Sequence, residues 1–148
     1  GGARIQRILD AHPAVVNAAA RLVLQANTDV PDLRRWVVKR RHRLCDERLV
    51  LDQGKWYTAL AIEPNGAVPD PKWSALDLEW GPLLRARRDP ELRRYLGTEL
   101  PRIAQALARA QGGGAPGPVL ADLAERLDAV EQELAGLALA EGGLLGRG

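Results

Sequence analysis

Phenylalanine and methionine are absent from this sequence, and cysteine and serine occur once each. Without Phe or Met, a core has to be filled by Leu, Val, Ile, Ala and the four Trp. The single thiol, Cys45, excludes an internal disulfide framework and any all-cysteine metal site, and it suits a reducing compartment. Ser74 has neither a base nearby in sequence nor the glycines of a nucleophile elbow, so serine-type acyl transfer has no foothold. His12 and His42 stand apart, and His42-x-x-Cys45 is one pair without a second, so no metal is expected. No run approaches the roughly 18 apolar residues of a membrane span, and no segment has signal-peptide form. The glycines of 112–117 lack the Lys-Ser/Thr that completes a phosphate-binding loop, and no cofactor is expected. Pro69-Asp70 with Asp77-x-Glu79 is a faint trace of the paired acids of metal-dependent nucleases. Trp80-Gly81 stand where their lysine would follow, so the chain is not expected to be an enzyme.

What is present is arginine and a regular hydrophobic pattern. The 148 residues are 46% hydrophobic and 27% charged, enough for one domain and a modest appendage. Arg outnumbers Lys 18 to 3, a bias that a GC-rich genome alone produces. The net charge of +2 conceals a split: residues 1–111 hold 19 basic and 13 acidic residues, whereas residues 112–148 hold 2 and 6. A basic body with an acidic tail points to a polyanionic partner for the body.

Periodicity predicts helices over 3–11, 14–26 and 31–43, with Pro13 and Pro31 in first turns and Leu33, Trp36, Val37, Arg40 and Leu44 along one side of the third. Strands are expected at 48–51, 55–62 and 75–80, separated by the turn signals Asp52-Gln53-Gly54 and Pro64-Asn65-Gly66. Within 55–62, Trp56, Thr58, Leu60 and Ile62 share one face, and Lys55, Tyr57, Ala59 and Ala61 the other. Helices resume after the cap signals Asp89-Pro90 and Thr98. The expected fold class is α+β: helices packed on one face of a small antiparallel sheet, followed by a C-terminal leucine-repeat, coiled-coil-like helix. Three segments are expected: a basic α+β nucleic-acid-binding domain at 1–111, a Gly/Pro linker at 112–118 and a dimerisation tail at 119–148. In the tail Leu120, Leu123, Leu127, Val130, Leu134 and Leu137 follow 3-4 spacing, which suits a homodimer; packing of that stripe on its own domain is the competing reading.

Arg34, Arg35, Lys39, Arg40, Arg41 and Arg43 crowd six cations into ten residues, suited to phosphates or simply to a solvated helix face. Arg48, Lys55, Trp56, Tyr57 and Trp73 follow, and unpaired bases stack on exposed aromatics. For any single Trp the role of core filler is the stronger reading, because Phe is absent and something large must fill the interior. Tyr57 and Trp73 are the better candidates for exposure. The candidate nucleic-acid site is therefore Arg34, Arg35, Lys39, Arg41, Arg43, Arg48, Lys55, Trp56, Tyr57 and Trp73.

The runs Arg34-Arg35-Trp36, Lys39-Arg40-Arg41-His42-Arg43 and Lys55-Trp56-Tyr57, with the Leu120–Leu137 repeat, resemble the ThermoDBP family, the single-stranded DNA-binding proteins of Thermoproteales archaea. The resemblance implies an archaeal, thermophilic protein of DNA replication or repair, cytoplasmic and nucleoid-associated. It would stack bases over a hydrophobic floor flanked by cations and dimerise through its tail. The leading expectation is accordingly a non-enzymatic, sequence-independent binder of single strands, DNA favoured over RNA. Two alternatives remain: an assembly subunit whose tail meets another protein, and a duplex-binding regulator with the third helix in a groove.

Overall fold

The computed structural model describes residues 1–66 and 70–145, with side chains as far as Leu139. It divides into two compact units, Gly1–Arg87 and Arg88–Gly148. The first begins with α1 (Gly2–Ala11) and α2 (Pro13–Ala18), followed by β1 (Leu22–Ala26), α3 (Val30–Lys39), β2 (Arg43–Asp52) and β3 (Lys55–Glu63). Two short helices, α4 (Ala75–Trp80) and α5 (Pro82–Ala86), complete it.

The three strands lie in the order β1-β3-β2, with β3 antiparallel to both neighbours. β1 and β2 therefore run in the same direction, joined by the α3 crossover, with β3 inserted between them. Alternation along β3 carries the argument for the core: Thr58, Leu60 and Ile62 are buried on one face, joined by Leu24 and Ala26 of β1 and Leu44 of β2. Against them lie Leu33, Trp36 and Val37 of α3, and Ile5 and Leu9 of α1 pack at the margin. The Trp36 indole donates to Asp10 (2.8 Å), so the large ring enters the core without stranding its N–H. The expected coarse class holds: helices with a small antiparallel sheet.

Several sequence expectations are corrected. Residues 14–26 are not one helix; α2 stops at Ala18 and 22–26 is a strand whose partner is β3. The alanines of 18–20 favour helix locally, but Leu22, Val23 and Leu24 gain more from pairing and burial. Residues 43–47, expected as the end of a helix and a loop, begin β2, and a register shift between Leu44 and Asp46 leaves Cys45 as a bulge. Residues 75–80 are helix α4, not a strand. Ser74 Oγ accepts from Asp77 N–H (3.1 Å) and Asp77 accepts from Ser74 N–H (3.0 Å), a reciprocal cap that settles the helix despite the alternating Leu76, Leu78 and Trp80.

The second unit is a helical hairpin of α6 (Pro90–Gly112) and α7 (Gly117–Leu145), which pack on each other. Asp89 caps α6 by accepting from Glu91 N–H (2.8 Å). Thr98 is not a cap: α6 runs on through Pro101, and the Thr98 hydroxyl donates to Tyr95 O within the helix. The expected linker is a tight turn, since only residues 113–116 separate the two helices, and Gly114 there takes φ +66°. Along the leucine stripe Val130 and Leu137 are buried and Leu120, Leu123, Leu127 and Leu134 partly so. The stripe thus has an antiparallel partner, α6, in its own chain. The expected coiled-coil dimer is not supported. No helix of the described residues is long and apolar enough to cross a membrane.

Candidate functional site

The structure separates the ten expected nucleic-acid residues into five groups. Arg34 is unavailable to any ligand. It is 2% exposed; its Nε donates to Glu47 Oε1 (2.7 Å) and its Nη1 to the carbonyls of Leu78 (2.8 Å) and Glu79 (3.0 Å). A cation reading from sequence cannot tell this residue from its neighbours, because the acid that claims it lies on another element. Arg35 and Lys39 are exposed on α3, Arg35 paired with Asp32 (2.6 Å). Arg48 is exposed on β2 and bound to Asp46 (3.1 Å). Lys55, Trp56 and Tyr57 begin β3 beside the Gln53-Gly54 turn, with Trp56 and Tyr57 half-buried on opposite faces. Arg41, Arg43 and Trp73 come together in one cavity at the other end of the sheet. That end is roughly 20 Å from Trp56, the length of six or seven strand residues.

This cavity has a volume of about 810 Å³, and His42, Asn65 and Asp70 join the three expected residues in its wall. Asn65 N–H donates to His42 Nδ1 (3.2 Å), and the imidazole lies tilted against Trp36 at 5.0 Å. Burial, and then the charge of Arg40, hold the His42 pKa below its usual 6.5. With Nδ1 accepting, the proton of the neutral ring sits on Nε2.

The opposite end carries a second polar cluster, which the sequence reading missed. Parallel crossover units present their chemistry at the carboxyl ends of their strands. There β1 leads through Asn27-Thr28-Asp29 into α3, with Asp29 as N-cap at φ 56°. Gly1 and Gly2 close against this loop. Gly2 N–H donates to Thr28 O (2.8 Å), and a Cβ on Gly1 would stand 1.8 Å from Thr28 Oγ1, one on Gly2 2.5 Å from Asp29 O. A side chain at position 2 would meet the loop backbone and displace it, whereas one at position 1 would meet the exposed Thr28 and Asp29 side chains. Asn27, Thr28 and Asp29 are all exposed, and Thr28 Oγ1 donates to Asp29 Oδ2 (3.2 Å). The overlooked signal was an apolar run, Leu22-Val23-Leu24, followed by Asn-Thr-Asp and a proline in the next first turn: strand, loop, helix.

Dinucleotide-binding folds hold their pyrophosphate at a glycine-rich turn between a strand and a helix. β1 is the one strand of the described residues that leads directly into a helix, and its loop contains no glycine. The paired-acid idea also fails geometrically. Asp77 is taken up by the α4 cap and by Arg85 (2.6 Å), and Asp70 accepts from Lys72 N–H (3.1 Å). Pro69 lies outside the described residues.

Comparison with known proteins replaces the expected kinship. A family model described as TrmK, tRNA (adenine(22)-N(1))-methyltransferase, matches residues 1–131. The tRNA (adenine(22)-N(1))-methyltransferase of Bacillus subtilis is 33% identical over 84 residues, which are 57% of this chain and 34% of that protein. Streptococcus pneumoniae Sp1610, assigned as a tRNA (m1A22) methyltransferase, superposes with a TM-score of 0.76 at 27% identity, over 90% of this chain and 58% of that one. The crystal structure of the B. subtilis m1A22 tRNA methyltransferase TrmK gives 0.71 at 25%, over 90% and 59%. The chain thus spans less than two thirds of the relatives it matches. These findings overturn the resemblance to archaeal single-stranded DNA-binding proteins, and with it the expected non-enzymatic character, the preference for DNA and the replication or repair role; association with the nucleoid is not shown. They equally leave no support for an assembly subunit. The likeness covers both the crossover sheet and most of the helical hairpin, and the matching family model takes in 131 of the 148 residues: the chain belongs to the TrmK family of tRNA (adenine(22)-N(1))-methyltransferases.

Proposed function

We propose that this chain supplies the base-facing edge of an enzyme that methylates N1 of an adenine in tRNA. The observation that supports this most directly is the exposed Asn27-Thr28-Asp29 loop at the carboxyl end of β1, held in place by Gly1 and Gly2. Adenine N1 is a neutral ring nitrogen whose lone pair lies in the plane of the base, so it needs no general base in order to attack. The methylated ring carries a positive charge. A carboxylate beside the ring, here Asp29, favours the species in which that charge has developed, and an amide, here Asn27, pairs with the donor and acceptor edge of the base. Sp1610 has been crystallised with S-adenosyl-L-methionine, the methyl donor this reading requires. The exposed Asn27-Thr28-Asp29 side chains are assigned to the acceptor base.

The test uses the whole protein, S-adenosyl-L-methionine and a tRNA transcript with adenine at position 22. Methylation at N1 blocks the pairing edge, so reverse transcription stops there. Asp29→Asn is expected to slow methylation by about 100-fold, the usual cost of removing one electrostatic stabiliser, with an unchanged melting temperature. Methylation at the wild-type rate in Asp29→Asn would remove this residue from the site. Absence of any methylation by the wild-type protein would remove the activity.

A further inference from the structure

We propose that the cavity where α3 meets β2 is a second RNA-binding subsite, one that holds a nucleotide by stacking its base on Trp73 and pairing its phosphate with Arg41. The cavity lies at the amino end of β2 and the carboxyl end of β3, the opposite end of the sheet from Asn27-Thr28-Asp29, so it is no part of the acceptor-base edge. Its volume, about 810 Å³, falls in the range of roughly 300–1,000 Å³ typical of small-molecule sites.

The wall has the three components that a nucleotide requires. Trp73 packs against the core yet remains half-exposed beside the aliphatic Leu83 and Val38, which leaves aromatic surface for a base. Arg41 is exposed and has no ion-pair partner among the described residues, and Arg43 beside it is only loosely matched to Glu63 (3.6 Å). Guanidinium groups suit phosphate because they offer several donors in one plane. The neutral His42 ring, with Asn65 N–H on its Nδ1, contributes an Nε2–H donor.

A second, independent observation concerns the backbone. α3 ends with Arg41 N–H on Val38 O (3.0 Å) and His42 N–H on Val37 O (3.0 Å), a helix stop whose left-handed residue is ordinarily glycine. Here it is Arg41, at φ 56°. Lys72, next to Trp73, is also left-handed, at φ 49°. Arg41 thus keeps a long basic side chain at a position where glycine would be less strained. RNA is the favoured source of the nucleotide, a choice that rests on the proposed tRNA substrate; a free mononucleotide shares the same chemistry.

The experiment titrates the protein with a short single-stranded RNA, with adenosine monophosphate and with inorganic phosphate, following tryptophan fluorescence. The RNA should quench the wild-type signal, adenosine monophosphate should compete weakly and phosphate more weakly still. Trp73→Leu and Arg41→Gly should each bind the RNA at least about tenfold less tightly, the order of one lost stack or phosphate contact. Arg41→Gly should also melt at or above the wild-type temperature, because glycine relieves the left-handed residue, so weaker binding there cannot be blamed on unfolding. If Arg41→Gly binds RNA within about twofold of wild type, or phosphate competes as well as the nucleotide, the proposal is overturned. Binding of adenosine monophosphate without RNA overturns the RNA assignment. RNA binding that needs Arg41 in a protein that methylates nothing would uphold this subsite and refute the methyltransferase reading alone.

Discussion

Replacing Glu47 with alanine tests the physical account of the fold at its most demanding point. Glu47 is fully buried on the core-facing side of β2, and its carboxylate receives Arg34 Nε at 2.7 Å, Leu83 N–H at 2.9 Å and Leu84 N–H at 3.4 Å. The last two are first-turn amides of α5, so one carboxylate joins α3, β2 and the start of α5. The turn before α5 accommodates this through Gly81, at φ +103°, where a Cβ would stand 2.7 Å from Glu47 Oε2. In Glu47→Ala the guanidinium stays buried without its counter-charge, at a cost of about 3–5 kcal/mol. Two amides also lose their acceptor, adding at least about 1 kcal/mol. Against a typical total of about 5–15 kcal/mol, that removes a large share of the stability. The double variant Arg34→Met/Glu47→Leu buries no charge. It still leaves the Leu78 and Glu79 carbonyls without Arg34 and the Leu83 and Leu84 amides without Glu47, so it should fall about 2–3 kcal/mol below wild type and above the single variant. Guanidinium denaturation monitored by circular dichroism gives all three values. A double variant no more stable than Glu47→Ala would show that the unpaired charge is not what the single change costs, and the reasoning would fail.

Two further outcomes follow from local geometry. Ser74→Ala should lower stability by about 1 kcal/mol in the same assay through loss of the α4 cap, and an unchanged midpoint would mean that the Asp77–Arg85 ion pair holds that helix by itself. For His42, burial first and Arg40 second lower the folded pKa below 6.5, so the unfolded chain takes up a proton before the folded one. Its contribution is therefore intact above about pH 6.5 and is lost as the pH falls from there toward the folded value. Denaturation midpoints on either side of that window should differ less in His42→Gln than in wild type; equal slopes would refute the assignment.

What could be read from the sequence was whatever depends on near neighbours along the chain. The β3 strand, the β2–β3 turn at Gln53-Gly54 and the Leu33, Trp36 and Val37 side of α3 follow from alternation, turn chemistry and helical spacing, which a short window contains. Burial of Trp36 and Trp80 followed from the lack of Phe. Where the window was insufficient, a distant residue made the decision. β1 is a strand because β3 pairs with it from more than thirty residues away, against the helical preference of the alanines before it. Arg34 is one of six cations in sequence and the single one of them buried, because Glu47 meets it from β2. The leucine stripe of α7 specifies that a helix must cover it, but an apolar stripe does not say whose; in this structure α6 of the same chain does. The candidate sites show the same division. Arg41, Arg43 and Trp73 could be chosen by residue type, whereas their meeting with His42 and Asn65, and the exposure of Asn27-Thr28-Asp29 at a strand's carboxyl end, come from the crossover topology. Residue type sets which contacts are chemically possible, and chain topology decides which of them occur.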